Sequence, residues 1–500
     1  MRSVVDRLDV PASGERVEGT RILIAGAVAF LLVFAGWAFY VASHPTSTTL
    51  FPVDLQVYRD GGLIVRHISP PYQANLAHPL YDWPTSNEAL KFTYTPFAAL
   101  FFAAVSFVPW SILPHLSQIV NLLALLAATW FTMGALGYKG RGVRAGGALL
   151  GAAAGLLTEP VFRTMYLGQI NLLLMALIIW DLSQPDTPSR SRWKGIATGI
   201  CAGIKLTPLI FIPYLLLTRK FRAAANASGA FVVTMLLGFF ILPGDSRDYW
   251  LNGLFIQDGR TGFTGWGGNQ SLRAMVTRLA GSINAGTPIW IVGVVLVTVF
   301  GLLIATMLHR AGHPMLGLLT AAVVGLLDSP ISWDHHWVWV VPGMMVAVHY
   351  GVRAWQAGRY RGAFGCVALA LGMLLVFIPW PGSLWSLKTT GPGDFTKGLI
   401  WAAPNTAVKK YIKYGDEKWF LEYHWRGLQV LAGNAYVLTG LVVLAILGFT
   451  ALVVSSASAS ANEDAPPAAP VVLGSADADA TAVLSVTPQP RGVVLGGPLA

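Results

Sequence analysis

The sequence predicts an all-α polytopic integral membrane protein with about 10–12 transmembrane or re-entrant helices, and three observations carry that prediction. Only 12% of the 500 residues are charged against 54% hydrophobic, where soluble domains carry about twice that charged share. Apolar runs long enough for a roughly 30 Å hydrocarbon core recur from end to end. The short connections between several of them are basic. A net charge of +10 therefore marks cytoplasmic loops, not a nucleic-acid partner.

The apolar segments lie at 22–42, 95–108, 115–136, 145–161, 168–183, 195–217, 223–243, 287–308, 314–328, 333–350, 363–381 and 427–455. Within lipid each must satisfy its own backbone, so each is expected to be helical. The first is too long for a signal-peptide core and reads as a retained helix. Residues 1–21 form a cytoplasmic N-terminal segment, 22–455 the membrane domain, and 456–500, rich in Ala, Pro, Ser and Asp, a disordered cytoplasmic tail. Three long polar stretches, 43–94, 244–286 and 382–426, interrupt the membrane domain.

Four basic connections fix the orientation: "YKGRGVR" (138–144), "SRSRWK" (189–194), "TRKFR" (218–222) and "VRAWQAGRYRG" (352–362). All four are cytoplasmic only if two segments fail to cross. The short 95–108 and the broken 195–217 are the preferred exceptions, and all three long loops then lie outside. The last of these holds Lys388, Lys397, Lys409, Lys410, Lys413 and Lys418, read as a solvated face because long loops translocate regardless of charge. Cys201 and Cys366 sit in apolar segments without neighbouring ligands and read as small buried hydrophobes.

Polar residues gather where the outer loops meet the membrane. Asp54 opens "VDLQVYRDGGLIVRH" (53–67), with Tyr58 one helical turn on and Arg66 further along. It is either a loop charge or a base that takes a proton from a hydroxyl. Lys91 and Tyr94 stand in "LKFTYTPFAAL" (90–100) as interfacial anchors or as the lining of a sugar pocket. Gln169 and Asn171 interrupt an apolar run, and Glu159 and Arg163, four apart, are placed to pair with each other. Lys205, in "GIKLTP" (203–208), needs an anionic partner, and a lipid phosphate would serve. Asn269, Gln270 and Ser271, in a Gly-rich helix entry, are set to cap that helix or to bond a sugar's hydroxyls. His335 and His336, in "LLDSPISWDHHWVWVVP" (326–342), suit a phosphate contact or proton carriage. No HExxH or P-loop spacing is present, and no metal is expected.

These stretches, together with "GQINLLLM" (168–175), "GNQSL" (268–272) and "SPISWDHHW" (329–337) in the same order, resemble the actinobacterial polyprenol-phosphate-mannose-dependent mannosyltransferases of glycosyltransferase family 87, which have the GT-C fold. The resemblance covers about residues 20–450. It implies inverting transfer of mannose from polyprenyl-phosphate-mannose to a mannosylated glycolipid acceptor in α-(1→2) linkage, at the outer leaflet of the plasma membrane and without a cofactor. It matches Asp54 to the family's catalytic aspartate. One of His335 and His336 would face the donor phosphate with Lys205. Tyr58, Arg66, Lys91, Tyr94, Gln169, Asn171, Asn269 and Gln270 would contact sugar or acceptor. Within the family, "DLQVYRDGGLIVRH" and "LYDW" (80–83) point first to branching of the mannan core of lipomannan and lipoarabinomannan, and second to extension of phosphatidylinositol mannosides. A donor carrying arabinofuranose fits less well. A lipid or sugar transporter or flippase is the alternative of another class; it predicts an internal repeat and paired midplane polar residues. Lys205 favours it, but no repeat is evident.

Overall fold

The computed structural model describes residues 12–43, 52–67, 79–82, 90–187, 192–257, 260, 262–379, 398–406 and 420–463. Among them secondary structure is helical, apart from one isolated antiparallel bridge between Asn269 and Trp333. All twelve predicted apolar segments are present as helices or broken helices, as the sequence requires. The listed lysines of the 382–426 loop, Trp83 of "LYDW" and residues 464–500 of the tail lie outside the described residues. Two boundaries move. The first helix begins at Ala12, inside the segment read as the N-terminal tail, and the last runs from Ala435 to Glu463, eight residues into the segment read as the C-terminal one.

Six helices are long and apolar enough to cross a membrane, or seven if Arg141–Leu156 and Glu159–Leu167, bent by 76°, count as one span. The chain is thus multi-pass. Their outer faces stay apolar: Phe39 and Phe449 remain 74% and 71% exposed, as side chains facing lipid would.

Neither of the two preferred exceptions forms a helix long enough to cross. Segment 195–217 breaks into helix Ile196–Ile204, an extended Lys205, a 3₁₀ turn Thr207–Ile210 and helix Phe211–Leu217. Its two ends meet again, because Asp186 binds Lys194 Nζ at 3.0 Å and Lys220 Nζ at 2.6 Å. The segment therefore returns to the end of the bundle it left, with Lys205 at its tip. Helix Pro96–Val105 is about 15 Å long at 1.5 Å per residue, half of a crossing. It starts beside Gln169, which Tyr94 Oη meets at 3.3 Å, and the next helix starts at the same end, where Gln118 Nε2 donates to the Met165 carbonyl at 2.6 Å. Tyr138 Oη meets His349 Nδ1 at 2.9 Å, which joins the first basic connection to the start of the last.

The helix carrying Asp54, Val53–Val65, lies directly on Pro96–Val105. A Cβ on Gly62 would sit 2.3 Å from the Phe102 carbonyl oxygen, so only glycine allows this approach. Tyr58 then stacks on Phe102 with ring centroids 4.2 Å apart and planes 6° from parallel. Gly62→Val should separate the two helices and lose activity together with thermal stability, by roughly 1–3 kcal/mol as an overpacked core does; unchanged melting in detergent would contradict this contact.

Candidate functional site

Four chain breaks deliver the site. Thr95 caps Pro96–Val105 by accepting from Ala98 N at 3.1 Å, and its hydroxyl also donates to the Gly203 carbonyl. One freed carbonyl at the Lys205 break is satisfied in this way. Pro160 starts helix Glu159–Leu167 where its missing N–H costs nothing. Gly168 ends that helix at φ +70°, a left-handed conformation that suits glycine, and a Cβ there would lie 2.6 Å from Leu55 Cβ. This turn places Gln169 under the Asp54 helix. The 3₁₀ stretch Asp334–Trp339 supplies both histidines.

Gln169 organises one half of the site. Its Oε1 accepts from Tyr58 Oη at 2.5 Å and from Tyr94 Oη at 3.3 Å, and the two phenols lie 2.8 Å apart. Gln169 also lies next to Asp54, where its side chain favours the ionised carboxylate. Asp54 keeps part of its surface accessible, whereas Tyr58 is fully buried. Burial pushes the Asp54 carboxyl up from the ordinary value of 3.8, opposed by His335, the Gln169 hydrogen bond, Lys205 and Arg163.

Lys205 organises the other half. Its Nζ donates to Asn171 Oδ1 at 2.8 Å and meets His336 Nε2 at 2.9 Å, beside the face of Tyr94 at 5.9 Å. Two of its three N–H donors are thus accounted for. Asn171 and Thr164 both donate to the His335 carbonyl, at 2.9 and 3.1 Å. Lys205, Asn171 and His336 form the polar end of a cleft whose remaining walls include Leu174, Met175, Ile178, Phe211, Leu326 and Trp339. The two histidine rings sit 4.8 Å apart and 83° from parallel and have different partners, His336 toward Lys205 and His335 toward Asp334.

Several sequence expectations change. Arg163 does not pair with Glu159; its Nε binds Asp334 Oδ2 at 3.0 Å, while Glu159 accepts from Trp401 Nε1 and Tyr436 Oη. The i,i+4 spacing failed here because partners from the 334–339 turn and the last helix lie closer. Asn269 and Gln270 are not pocket residues. Both are fully buried and spent on main chain: Asn269 on Thr264, Pro330 and Ser332, Gln270 on Gly267, Gly433 and Tyr436. Ser271 does cap its helix, accepting from Ala274 N at 3.1 Å. Arg66 is turned away, donating to Ser106 Oγ at 3.1 Å and lying 3.5 Å from the Phe107 ring centre. Lys91 is exposed and none of the contacts described above involves it. The sequence reading omitted Asp334 from the site, although its place immediately before the two histidines was visible. It also missed Trp266, Trp333 and Trp401, half-exposed and in edge-to-face contact at 5.6 and 5.3 Å beside Arg163. Among the described residues no group of three His, Cys, Asp or Glu is placed to hold a metal ion.

The model of glycosyltransferase family 87 matches residues 92–330. Two Mycobacterium tuberculosis proteins are similar to the chain. One, a polyprenol-phosphate-mannose-dependent alpha-(1-2)-phosphatidylinositol pentamannoside mannosyltransferase, is 31% identical over 386 residues, 76% of this chain and 84% of its own. The other, named for phosphatidylinositol mannoside, is 31% identical over 74% of this chain and 85% of its own. A Mycolicibacterium smegmatis protein, also named for phosphatidylinositol mannoside, is 28% identical over 92% of this chain and 98% of its own. No solved structure gives a significant match.

Proposed function

The chain belongs to glycosyltransferase family 87, and from that premise we propose that it is a polyprenol-phosphate-mannose-dependent α-(1→2)-mannosyltransferase whose base is Asp54. The observation that carries the role of Asp54 is convergence: a carboxylate oriented by Gln169 lies in the field of His335, Lys205 and Arg163, next to a cleft with a cationic end and apolar walls. Asp54 takes the proton of the acceptor's 2-hydroxyl. The hydroxyl oxygen attacks the anomeric carbon opposite the phosphate, and the bond pair of the breaking C–O bond passes to the phosphate oxygen. A β-linked donor then gives an α product in one displacement.

Lys205 and His336 are proposed to meet the donor phosphate, and the apolar walls behind them suit the first isoprene units of the polyprenol. Lys205 supplies N–H donors for the phosphate, and the reading includes no metal or other cofactor. Gln169, Tyr58 and Tyr94 act through Asp54, by orienting it and by filling the space behind it. The half-exposed tryptophans beside Arg163 offer faces for the acceptor's mannoses. We place the site at the extracytoplasmic face of the plasma membrane. The basic connections that Asp186 and the Tyr138–His349 pair tie together support this, because basic ends stay in the cytoplasm.

For the acceptor, the names of the relatives favour a phosphatidylinositol mannoside, whereas the first sequence stretches favoured a branch on the mannan core. One assay separates them: purified protein in nanodiscs with polyprenyl-phosphate-[14C]mannose and either phosphatidylinositol mannosides or a linear mannan-bearing lipid. Label in α-(1→2) linkage on the former supports extension, and single branches on the latter support the mannan core. Donor bound or translocated without transfer to any acceptor would favour the transporter reading instead.

A further inference from the structure

One histidine in the site is held far more firmly than the other. Asp334 Oδ1 accepts from both the backbone N–H and the ring Nδ1 of His335, at 2.7 and 2.9 Å. Its other oxygen takes the Arg163 guanidinium at 3.0 Å, and the His335 carbonyl is fixed by Asn171 and Thr164. Five hydrogen bonds, four on His335 itself and one on Asp334, therefore hold this residue in place. Its remaining ring nitrogen, Nε2, is buried without a partner, in a residue only 5% exposed. Buried polar atoms are nearly always paired, so an orphan on a ring this well anchored marks a place for a ligand atom. His336 also has one buried ring nitrogen without a partner, Nδ1, but its ring is held only through the contact of Nε2 with Lys205, not by a carboxylate.

We propose that Asp334, braced by Arg163, is a positioning residue that holds His335 as an imidazolium with its Nε2–H aimed at the departing phosphate oxygen. This rests on the mannosyltransferase reading above and assigns the two histidines different tasks. His336, with Lys205, holds the donor phosphate in the ground state. His335 gives its Nε2 proton to the phosphate oxygen as the bond to the anomeric carbon breaks. Asp54 gains the acceptor's proton in the same turnover, and afterwards a proton returns from Asp54 to His335, so the cycle closes without any further reactant. With Nδ1 held by Asp334, the ring form that carries a proton on Nε2 as well is the one able to donate to the phosphate oxygen. The charged and titratable groups around His335 are Asp334 and His336 on its own turn and Asp54 on the outer helix; Arg163 reaches it through Asp334, Lys205 through His336, and Glu159 lies beyond Asp334 and Arg163.

The test compares wild type with Asp334→Asn, His335→Ala, His336→Ala and the Asp334→Asn/His335→Ala pair, all in nanodiscs, across pH and donor concentration. Asp334→Asn should lower kcat by about 10- to 10²-fold, with the donor KM changed less than about threefold, and should move the alkaline limb of the pH profile to lower pH. A proton donor that has lost its carboxylate loses its proton sooner as pH rises. His335→Ala should lower kcat by on the order of 10²-fold, and the double variant should be no worse than His335→Ala alone, because the two act as one unit. His336→Ala should act mainly on the donor KM. His335→Ala leaves the Asp334–Arg163 pair in place and guards against a folding artefact. Multiplying defects, or an unmoved alkaline limb at normal Asp334→Asn folding, would overturn the proposal. Absence of transfer in the wild type would instead remove the mannosyltransferase reading on which it stands.

Discussion

Asp54→Asn should reduce mannosyl transfer by about 10³-fold or more while leaving donor binding within a few-fold of wild type. A single carboxylate accepts the proton that the acceptor oxygen must lose as it attacks, and Asn offers no comparable base, so the loss falls on kcat. Substrate contacts elsewhere are untouched, because Asn fills the same volume and can still accept the bond from Gln169. The wild-type pH profile provides a second check. Asp54 must be ionised to act, and burial raises its carboxyl above the ordinary 3.8. Activity should therefore fall on acidification at a pH above that value. Gln169→Leu removes a hydrogen bond that favours the ionised form, so the acid limb should move further up. Label transfer by Asp54→Asn at a tenth of the wild-type rate or better would remove Asp54 as the base.

Much of this site was legible because membrane sequences make polar residues conspicuous. A lysine in "GIKLTP", an amide pair in "GQINLLLM" and two histidines at a helix entry each need a partner in an apolar setting, and the fold brings these three stretches together. The return of 195–217 was readable from charge together with its break at "GIKLTP": charge asked for two segments that do not cross, and the break singled this one out; the shared partner Asp186 is what the sequence could not show. The errors came from polar residues whose needs were met locally. Asn269 and Gln270 look like sugar ligands in a list of residues, yet they close a loop by bonding backbone, which periodicity and spacing do not reveal. Arg163 and Glu159 misled for the opposite reason: helical spacing offered a local pair, and long-range partners won. Asp334 gains its place through Arg163, a partner 171 residues away that local spacing does not reveal.

The second large effect is expected at Lys205. Its ammonium has three N–H groups, of which Asn171 and His336 occupy two, and it stands at the cleft's polar end with apolar walls behind. A hydrogen bond between charged partners contributes about 1.5–3 kcal/mol, more where water is excluded. Lys205→Gln should accordingly lower kcat/KM for the donor by roughly 10²-fold, mainly through KM, with acceptor KM little changed. Lys205→Arg should recover only part of the loss, because the planar guanidinium cannot reproduce the compact contacts to Asn171 and His336. Binding of polyprenyl phosphate alone, without the sugar, separates the phosphate role from a structural one. If Lys205 holds the phosphate, the Gln variant loses affinity for polyprenyl phosphate and for the mannosylated donor by the same factor. If Lys205 only braces Asn171 and His336 within the hairpin, affinity for both lipids survives, while thermal stability and kcat fall together. That outcome would move the donor phosphate away from Lys205 and His336 and leave His335 to meet it.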